Sequence, residues 1–388
     1  MPVSGRPSTT LTANVGSPGA PTQVSFGRQV DSLRPSRRAV TDRLLPGFID
    51  LQVNGAYGID VMSATPQELL QLSHCLAHEG TTAWLPTVIT APFDLIERCD
   101  TIIADAIAEQ ERITQAAGRG SRQPCGAAIL GMHLEGPFIS PTRRGAHPAF
   151  TQLPQADLLE RVLALKTLRL ITLAPELDGA LEAIRRFVAR RIAVAIGHTD
   201  ATYEEALAGL RAGATMFTHL FNAMPPLHHR APGAVGAAAA TPAAAGGFAA
   251  PFVGVIPDGI HVHPATLRLI SGLQLIFITD RVSPAGDGGT VGTLGGPPAA
   301  LRVIAGAARL ADGTLAGSLI TMLDGARLML QELGGDWAGV CAACAENPAR
   351  LLGLHRRGRL APRHRADLML VDQWLNLKAV YIGGREID

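Results

Sequence analysis

The sequence predicts an α/β fold, specifically a (β/α)8 TIM barrel with a small β-sandwich domain formed from both chain ends. Eight apolar runs of strand length recur along the chain, and helical patterns separate most of them. Eight such units fill roughly 250 residues, the usual size of this barrel. Polar side chains that can bind ligands follow several runs, at the edge where parallel α/β folds carry their chemistry. The runs lie at residues 46–55, 82–87, 128–135, 168–174, 192–198, 214–219, 252–258 and 275–280.

Helix start and stop signals support the helices predicted between these strands. Residues 65–68 read Thr-Pro-Gln-Glu, a capping box with proline in the first turn, so a helix is predicted to reach about residue 78. Residues 202–205 repeat the capping-box spacing, and Gly213 ends the helical pattern that follows. Further helical patterns span residues 95–117 and 158–166.

Both chain ends are expected to contribute strands to the small β domain. Strand signals in residues 1–45 are faint, whereas the tail indicates strands at 367–372 and 379–382. Because the tail follows the barrel, we expect its strands to pair with the amino-terminal ones. The predicted division is 1–45 for the amino-terminal part of this domain, 46–355 for the barrel and 356–388 for the carboxyl-terminal part.

Less regular segments surround the last barrel strand. A loop rich in Gly and Pro is predicted at 283–298, a hairpin-like turn at 311–314, and helices at 321–333 and 337–345. The Ala- and Gly-rich segment 234–250 fits either a mobile loop or an irregular helix.

Composition excludes several kinds of partner. Lys plus Arg is 34 against 33 for Asp plus Glu, so a formal net charge of +1 gives no reason to expect nucleic acid or a membrane surface. The apolar runs are too short to span a bilayer, and the first residues lack a signal core. Five scattered cysteines suit a reducing compartment, so a cytoplasmic location is expected. Cys341 and Cys344 lie in an Ala-rich helical stretch, which favours packing over a redox or metal pair.

Two histidines mark the candidate site. His198 and His219 each follow an apolar run, and one helical unit separates the two runs. In a parallel α/β unit both strands point the same way, so both histidines are expected at the carboxyl edge of the sheet. A single histidine there would be explained equally well by hydrogen bonding at a strand end. Two at equivalent places favour a metal site.

A carboxylate completes the predicted ligand set. Glu135 ends an apolar strand beside a Gly-Pro turn, where a charge is costly unless it is paired or metal-bound. One Glu and two His leave an open position for water, as in catalytic divalent sites. His133 shares the strand face of Glu135 and is interpreted either as support for the ligands or as a hydrogen-bonded core histidine.

Asp280 ends the last barrel run and is the candidate general base. An unpaired carboxylate that faces a metal-bound water can accept its proton. The alternative is a structural carboxylate paired with the neighbouring Arg281.

These residues lie in motifs that resemble the N-acetylglucosamine-6-phosphate deacetylase family of the amidohydrolase superfamily. The resemblance covers about residue 44 to the carboxyl terminus, and several of the motifs are specific to this family within the superfamily. The main motifs are His-Leu-Glu-Gly-Pro-Phe at 133–138, Gly-His-Thr at 197–199, Thr-His-Leu-Phe-Asn-Ala-Met-Pro at 218–225, Asp-Gly-Ile-His at 258–261 and Thr-Asp at 279–280. Supporting matches lie at 46–50, 173–176, 317–322, 347–350 and 366–368.

The resemblance implies a barrel plus a small β-sandwich, and removal of acetate from the 2-acetamido group of a sugar 6-phosphate. By motif position, Glu135, His198 and His219 would hold the metal. Asp280 would act first as general base and then as general acid. His147 would stabilise the carbonyl oxygen as it becomes an oxyanion.

The resemblance also implies how substrate is bound. Arg230 and His261 would bind the phosphate, and arginine suits this role because it offers a planar fork of donors. The remaining expected substrate contacts are the backbone amides of Asn222 and Ala223, the pocket wall of Leu315, Ala316 and Gly317 beside the acetyl group, and Ala146.

Gln52 and Asn54 determine the expected number of metal ions. Many amidohydrolases carry His-x-His at these positions and bind a second metal there, but amides are poor zinc ligands. One divalent ion per chain is therefore expected, with Zn2+ as the first choice and Fe2+, Co2+ or Mn2+ as alternatives. The resemblance further implies a homodimer. One departure is Arg281, which stands where the family usually has a small residue.

We therefore predict a metal-dependent deacetylase that converts N-acetylglucosamine 6-phosphate to glucosamine 6-phosphate and acetate. The first alternative is the same chemistry on N-acetylgalactosamine 6-phosphate or another N-acyl amine, because the sequence does not define which hydroxyl configuration the pocket recognises. The second is a catalytically silent binding protein on the same fold. Retention of Asp280 with all three proposed ligands argues against it, since binding alone needs no acid/base group.

Overall fold

The structure is a computed structural model that describes residues 9–16, 20–38, 40–116, 126–240, 249–296, 300–332, 334 and 336–387. Parts of several predicted segments lie outside the described residues. These are residues 1–8, 17–19 and 39 of the amino-terminal segment, residue 117 of a helix, Cys125, residues 241–248 of the Ala- and Gly-rich segment, residues 297–298 of the loop, residue 333 of a helix, and residue 388.

The strands and helices alternate along most of the chain. The strands are β1 (Thr9–Val15), β2 (Ala20–Phe26), β3 (Val30–Pro35), β4 (Arg43–Pro46), β5 (Phe48–Val53), β6 (Gly55–Ala56), β7 (Ile59–Asp60), β8 (Thr81–Ile89), β9 (Ala128–Ile129), β10 (Met132–Glu135), β11 (Leu168–Leu173), β12 (Ala193–Ile196), β13 (Met216–Phe217), β14 (Phe252–Val255), β15 (Gln274–Phe277), β16 (Val291–Thr293), β17 (Ala300–Ile304), β18 (Ala307–Arg309), β19 (Leu368–Val371), β20 (Leu377–Ile382) and β21 (Arg385–Glu386). The helices are α1 (Pro66–His78), α2 (Phe93–Ala116), α3 (Ala156–Leu163), α4 (Ala180–Ala189), α5 (Tyr203–Ala212), α6 (Gly233–Ala240), α7 (Pro264–Leu269), α8 (Met322–Glu332), α9 (Trp337–Cys341) and α10 (Asn347–Leu351).

A parallel barrel forms the centre of the molecule. Its strands follow the order β15-β14-β13-β12-β11-β10-β8-β5, with the short β9 paired to β8. Between the end of β5 and the residues that follow β15, the Asp280 amide donates to the Gln52 carbonyl at 2.9 Å and the Asn54 amide donates to the Arg281 carbonyl at 2.8 Å, which closes the ring. The predicted (β/α)8 barrel is thus confirmed. Its interior is packed with apolar side chains, including Ile49, Leu51, Leu85, Leu170, Met216, Ile256 and Ile276.

The predicted helix signals have the expected geometry. The Thr65 hydroxyl accepts from the Glu68 amide at the start of α1, and the Glu68 carboxylate accepts from the Thr65 amide in return. The same reciprocal pair starts α5, at residues 202–205. Gly213 ends α5 with a φ of 117°, a left-handed conformation that glycine adopts without Cβ strain.

Both chain ends build the small β domain, as predicted. Its strands follow the order β21-β20-β19-β4-β1-β2-β3, so strands from the tail and the amino terminus share one sheet. The ring of Phe26 on β2 contacts that of Tyr381 on β20 at a centroid distance of 5.1 Å. These strands are not neighbours in the sheet, so the sheet curls over to enclose its own core, which also contains Ala13, Val24, Val30, Leu44 and Leu368. The division at residues 45/46 and 355/356 stays a prediction.

Several elements differ in detail from the sequence pattern. The predicted strands 192–198 and 214–219 end early, because the residues after them leave extended backbone, with φ values of 48° at His198 and 21° at His219. A π-helical turn at Ala342–Glu346 follows α9, since Pro348 lacks the N–H that would continue α-helical pairing. The Ala- and Gly-rich segment begins as a helix, α6.

A small antiparallel sheet, β16-β17-β18, lies between the last barrel strand and α8. The sequence pattern indicated only its final turn, where the Leu310 amide donates to the Thr314 carbonyl at 3.0 Å. Cys344 is buried, and burial raises the pKa of Cys341 to about 12, which agrees with packing for this pair. Among the described residues, no helix has the length and apolar character needed to cross a membrane.

Candidate active site

The carboxyl ends of the barrel strands surround a cavity of about 310 Å³, at the low end of the size range of small-ligand pockets. The cavity contains twelve of the thirteen predicted site residues; Arg230 is the exception. The described residues that line it are Asn54, Ile89, Glu135, Gly145, Ala146, His147, His198, His219, Phe221, Asn222, Ala223, Ile256, His261, Asp280, Leu294, Thr314, Leu315, Ala316 and Gly317.

Glu135, His198 and His219 converge on one point in this cavity. Their ligand atoms all lie within 4.8 Å of one another. Glu135 Oε1 lies 3.2 Å from His198 Nε2 and 2.9 Å from His219 Nε2, and the two Nε2 atoms are 3.1 Å apart. Ligand atoms about 2.0–2.2 Å from a tetrahedral ion would be separated by roughly 3.4 Å, close to these distances. The donor set of one carboxylate and two imidazoles therefore fits a divalent metal ion.

Backbone contacts orient His198 toward that point. The Arg143 carbonyl lies 2.9 Å from His198 Nδ1, so Nδ1 carries the proton and Nε2 keeps its lone pair. His219 Nδ1 is buried with no hydrogen-bond partner among the described residues. The backbone conformations of both histidines are left-handed, with φ values of 48° and 21°. Such conformations cost energy outside glycine and cluster at functional sites.

The charges and hydrogen-bonding groups of the cluster favour the ionised form of Glu135. Burial opposes the charge on Glu135, but the adjoining rings of His147, His198 and His219 outweigh it and hold the pKa of Glu135 well below its usual value. Burial likewise opposes protonation of His219, and the hydrogen bond to Glu135 nevertheless raises its pKa. Glu135 thus stays ionised and ready to bind a cation.

Asp280 faces the same cavity as a carboxylate held by two amide groups. Its Oδ1 accepts from Gln52 Nε2 at 3.1 Å and from Asn54 Nδ2 at 2.7 Å. Burial and the nearby charge of Glu135 raise its pKa to about 6. The paired-carboxylate alternative fails, because the side chain of Arg281 binds Glu79 instead.

Gln52 and Asn54 are the two residues from which the sequence analysis predicted a single metal ion. The Gln52 side-chain NH2 also donates to Glu135 at 3.0 Å, and its oxygen accepts from the Thr218 hydroxyl at 2.9 Å. Both amides therefore turn N–H donors toward the carboxylates. Because an N–H group offers no lone pair to a cation, this arrangement disfavours a second metal site.

His147 lies beside the ligands as a neutral hydrogen-bond donor. The Thr90 amide approaches its Nδ1 at 3.4 Å, which assigns the proton to Nε2. Nε2 lies 3.4 Å from Glu135 Oε2. Burial and the nearby charge of His198 lower the pKa of His147 to about 4, so the ring donates without carrying a charge at neutral pH. His133, by contrast, is a hydrogen-bonded core histidine, with Nε2 2.8 Å from the Thr172 hydroxyl.

The cavity wall also carries most of the predicted substrate contacts. The side chain of His261 is buried and its Nδ1 lies 2.6 Å from Asp258 Oδ2, which holds the ring in place. Asn222 and Ala223 follow β13 and line the same cavity. Arg230 is exposed and is not among the described residues that line the cavity of its own chain.

The sequence pattern missed part of the cavity wall. Phe221 and Thr314 are next to predicted site residues in the sequence, and this position could have identified them as part of the cavity wall. Ile89 and Ile256 carry no signal beyond lying at the ends of barrel strands. Leu294 comes from the loop after β16, which no motif marks, and only the three-dimensional structure brings it to the site.

The geometry of the site agrees with a family match over most of the chain. Residues 43–387 match the model of the Amidohydrolase family. The chain belongs to this family. The sequence-based resemblance to N-acetylglucosamine-6-phosphate deacetylases is confirmed by similar proteins of that name.

Three similar proteins illustrate the relationship. The N-acetylgalactosamine-6-phosphate deacetylase of Escherichia coli O157:H7 is 35% identical over 92% of this chain and 92% of its own length. The N-acetylglucosamine-6-phosphate deacetylase of Bos taurus is 37% identical over 88% of this chain and 82% of its own. A solved mutant N-acetyl-D-glucosamine-6-phosphate deacetylase of Mycobacterium smegmatis, in complex with N-acetyl-D-glucosamine-6-phosphate, is 33% identical with a TM-score of 0.83 and covers 97% of each chain.

Proposed function

We propose that this chain is a metal-dependent deacetylase that converts N-acetylglucosamine 6-phosphate to glucosamine 6-phosphate and acetate. One observation carries the proposal: Glu135, His198 and His219 form a metal-ligand set in the same cavity as the carboxylate of Asp280. The names of the relatives support the substrate class. A silent binding protein would have no need for an acid/base carboxylate with a raised pKa beside the ligands.

The chain's own residues supply the proton transfers. A divalent ion held by Glu135, His198 and His219 would polarise the acetyl carbonyl and lower the pKa of water. Asp280 takes the proton from the attacking water, and its free oxygen is suited to this because both amide hydrogen bonds reach Oδ1. His147 donates Nε2–H to the carbonyl oxygen as negative charge develops there. Protonated Asp280 then gives its proton to the departing amine, so the proton balance closes.

The phosphate end of the substrate is proposed to lie in the same cavity. His261 and the backbone amides of Asn222 and Ala223 are proposed as its contacts within the chain, and Leu315, Ala316, Gly317 and Ala146 as the wall around the sugar and its acetyl group. Arg230 is proposed as a phosphate ligand that reaches the cavity of a second copy, since it is exposed and away from its own cavity. This assignment requires the homodimer that we propose.

Zn2+ is the ion that we propose, because its tetrahedral geometry and preference for imidazole and carboxylate suit the ligand set. Fe2+, Co2+ and Mn2+ are the alternatives. A cytoplasmic location and the three-part domain division remain part of the proposal.

The second candidate substrate is N-acetylgalactosamine 6-phosphate, favoured by the name of the Escherichia coli relative. Acetate release should be measured on N-acetylglucosamine, N-acetylgalactosamine and the 6-phosphate of each. The proposal expects the highest kcat/KM on N-acetylglucosamine 6-phosphate. A higher value on the galacto isomer would establish the second candidate, and no release from any of the four would contradict deacetylation of these substrates.

A further inference from the structure

Arg281, the residue after the proposed base, is a buried arginine in a carboxylate pair. Only 1% of its surface is exposed. Its guanidinium binds Glu79, which caps the carboxyl end of α1, with Nη1 donating to Oε2 and Nη2 donating to Oε1 at 3.2 Å. The Tyr57 hydroxyl donates to the same Glu79 Oε1 at 2.5 Å. Arg281, Glu79 and Tyr57 are called the Arg281 network below.

The backbone of Arg281 connects this network to the catalytic carboxylate. Its carbonyl accepts from the Asn54 amide at 2.8 Å and from the Gly55 amide at 3.1 Å. The side chain of Asn54 in turn donates to Asp280 Oδ1 at 2.7 Å. The conformation of the Arg281 peptide therefore determines the position of one of the two described donors that hold Asp280.

The same region carries backbone strain. Asp280 has a φ of 50°, which lies in the left-handed region that non-glycine residues rarely occupy. Its amide donates to the Gln52 carbonyl and its carbonyl accepts from the Ser318 amide, both at 2.9 Å. Strained conformations persist only where the surrounding structure over-determines them. The anchored side chain of Arg281 is one such constraint, directly after the strained residue.

We propose that the Arg281 network is a positioning device that holds the carboxylate of Asp280 in its productive place. Arg281 is then a positioning residue for the reaction, acting through Asn54 and through the backbone of Asp280. The role of Asp280 rests on the proposed function, whereas the structural coupling does not depend on it. Misplacement of a catalytic group by about 1 Å can cost 10²-fold in rate, so loss of the network is expected to lower kcat rather than to raise KM.

The test compares Arg281→Met, Glu79→Gln and Tyr57→Phe with wild type, all loaded with Zn2+ and assayed for acetate release from N-acetylglucosamine 6-phosphate. Arg281→Met is expected to lower kcat about 10-fold or more, and Tyr57→Phe to lower it less, with KM within about threefold. The milder variants decide the question if Arg281→Met does not fold. A kcat within about twofold of wild type in every folded variant would overturn the proposal.

The chain offers a matched control for general destabilisation. Arg357 is a largely buried arginine, with 18% of its side chain exposed, and it pairs with the carboxylate of Asp367 next to β19 of the small β domain. Arg357→Met is expected to lower the melting temperature and leave kcat near that of wild type. An equal loss of kcat in this variant would mean that any lost ion pair has the same effect, and would overturn the positioning role.

A crystal structure of Glu79→Gln gives a readout that needs no activity. In this variant we expect the φ of Asp280, or the hydrogen bond that Asp280 accepts from Asn54, to differ from that in wild type. An Asp280 and Asn54 geometry identical to wild type would contradict it. A wild-type protein that releases no acetate would instead contradict the proposed function, and the crystal structure would still decide the coupling between the Arg281 network and Asp280.

Discussion

Replacement of Asp280 by Asn is expected to remove catalytic activity while the folded protein and its metal site are retained. Asn keeps the size of the side chain and an oxygen that can accept from Gln52 and Asn54, but it cannot take a proton from water. General acid/base groups contribute about 10²- to 10⁴-fold, so we expect kcat to fall by at least that range. The ligands Glu135 and His198 are untouched, so the metal content should stay near that of wild type.

The same change should stabilise the metal-free protein. In the folded chain the pKa of Asp280 rises from its ordinary 3.8 to about 6, so ionisation is disfavoured in the folded state. At 1.36 kcal/mol per pH unit, this costs at most about 3 kcal/mol of unfolding free energy at pH 7. The sign follows from the raised value: wild type loses this stability as pH rises from about 4 to about 6. Asn does not titrate and avoids the loss.

Two assays on one pair of proteins check both statements. Acetate release from N-acetylglucosamine 6-phosphate measures kcat for the metal-loaded forms. Urea denaturation of the metal-free forms at pH 4 and pH 7 measures the free energy of unfolding, and Asp280→Asn should be the more stable form only at pH 7. An Asp280→Asn protein with its metal bound and near-normal kcat would show that another group is the base. A stability difference independent of pH would refute the electrostatic reasoning.

Three further predictions concern the ligands and the phosphate. His198→Ala should lose the bound ion, whereas His74→Ala, at a half-buried position on α1 away from the cavity, should keep it. Metal analysis after dialysis checks both, and retention of the ion by His198→Ala would contradict the ligand assignment. His261→Ala should lower kcat/KM on the 6-phosphate by about 10-fold or more and leave the unphosphorylated sugar nearly unchanged, so equal losses on both would exclude a phosphate contact. Arg230→Ala and Asp280→Asn, when dissociated, mixed and reassociated, should regain activity that neither variant has alone. In a mixed dimer one site combines the intact Asp280 of one chain with the intact Arg230 of the other. No gain in activity would argue against sharing of the site between two copies.

The sequence predicted the metal-ligand set because strand ends in a parallel barrel are geometrically equivalent. An apolar run followed by His198 or His219 therefore places each imidazole at the same edge, and the structure brings their Nε2 atoms to 3.1 Å. The same argument predicts Asp280 at this edge, and Asp280 lines the cavity there. The fold followed from the same repeated pattern.

Other parts of the site could not be read from the pattern. Arg281 pairs with Glu79, 202 positions away in the chain, and ion pairing at such a separation leaves no periodic trace in a sequence. Leu294 reaches the cavity from an irregular loop that has no fixed geometry relative to the strands. The left-handed backbone at His198, His219 and Asp280 is a tertiary effect, since local propensity disfavours it for these residue types.

The central claim is that Glu135, His198 and His219 hold a single ion that activates this chain for deacetylation. The most direct measurement is a titration of the metal-free protein with Zn2+ while acetate release from N-acetylglucosamine 6-phosphate is followed. We predict that activity rises linearly from near zero and stops rising at one ion per chain. Full activity without added metal, or a rise that continues to two ions per chain, would contradict the claim.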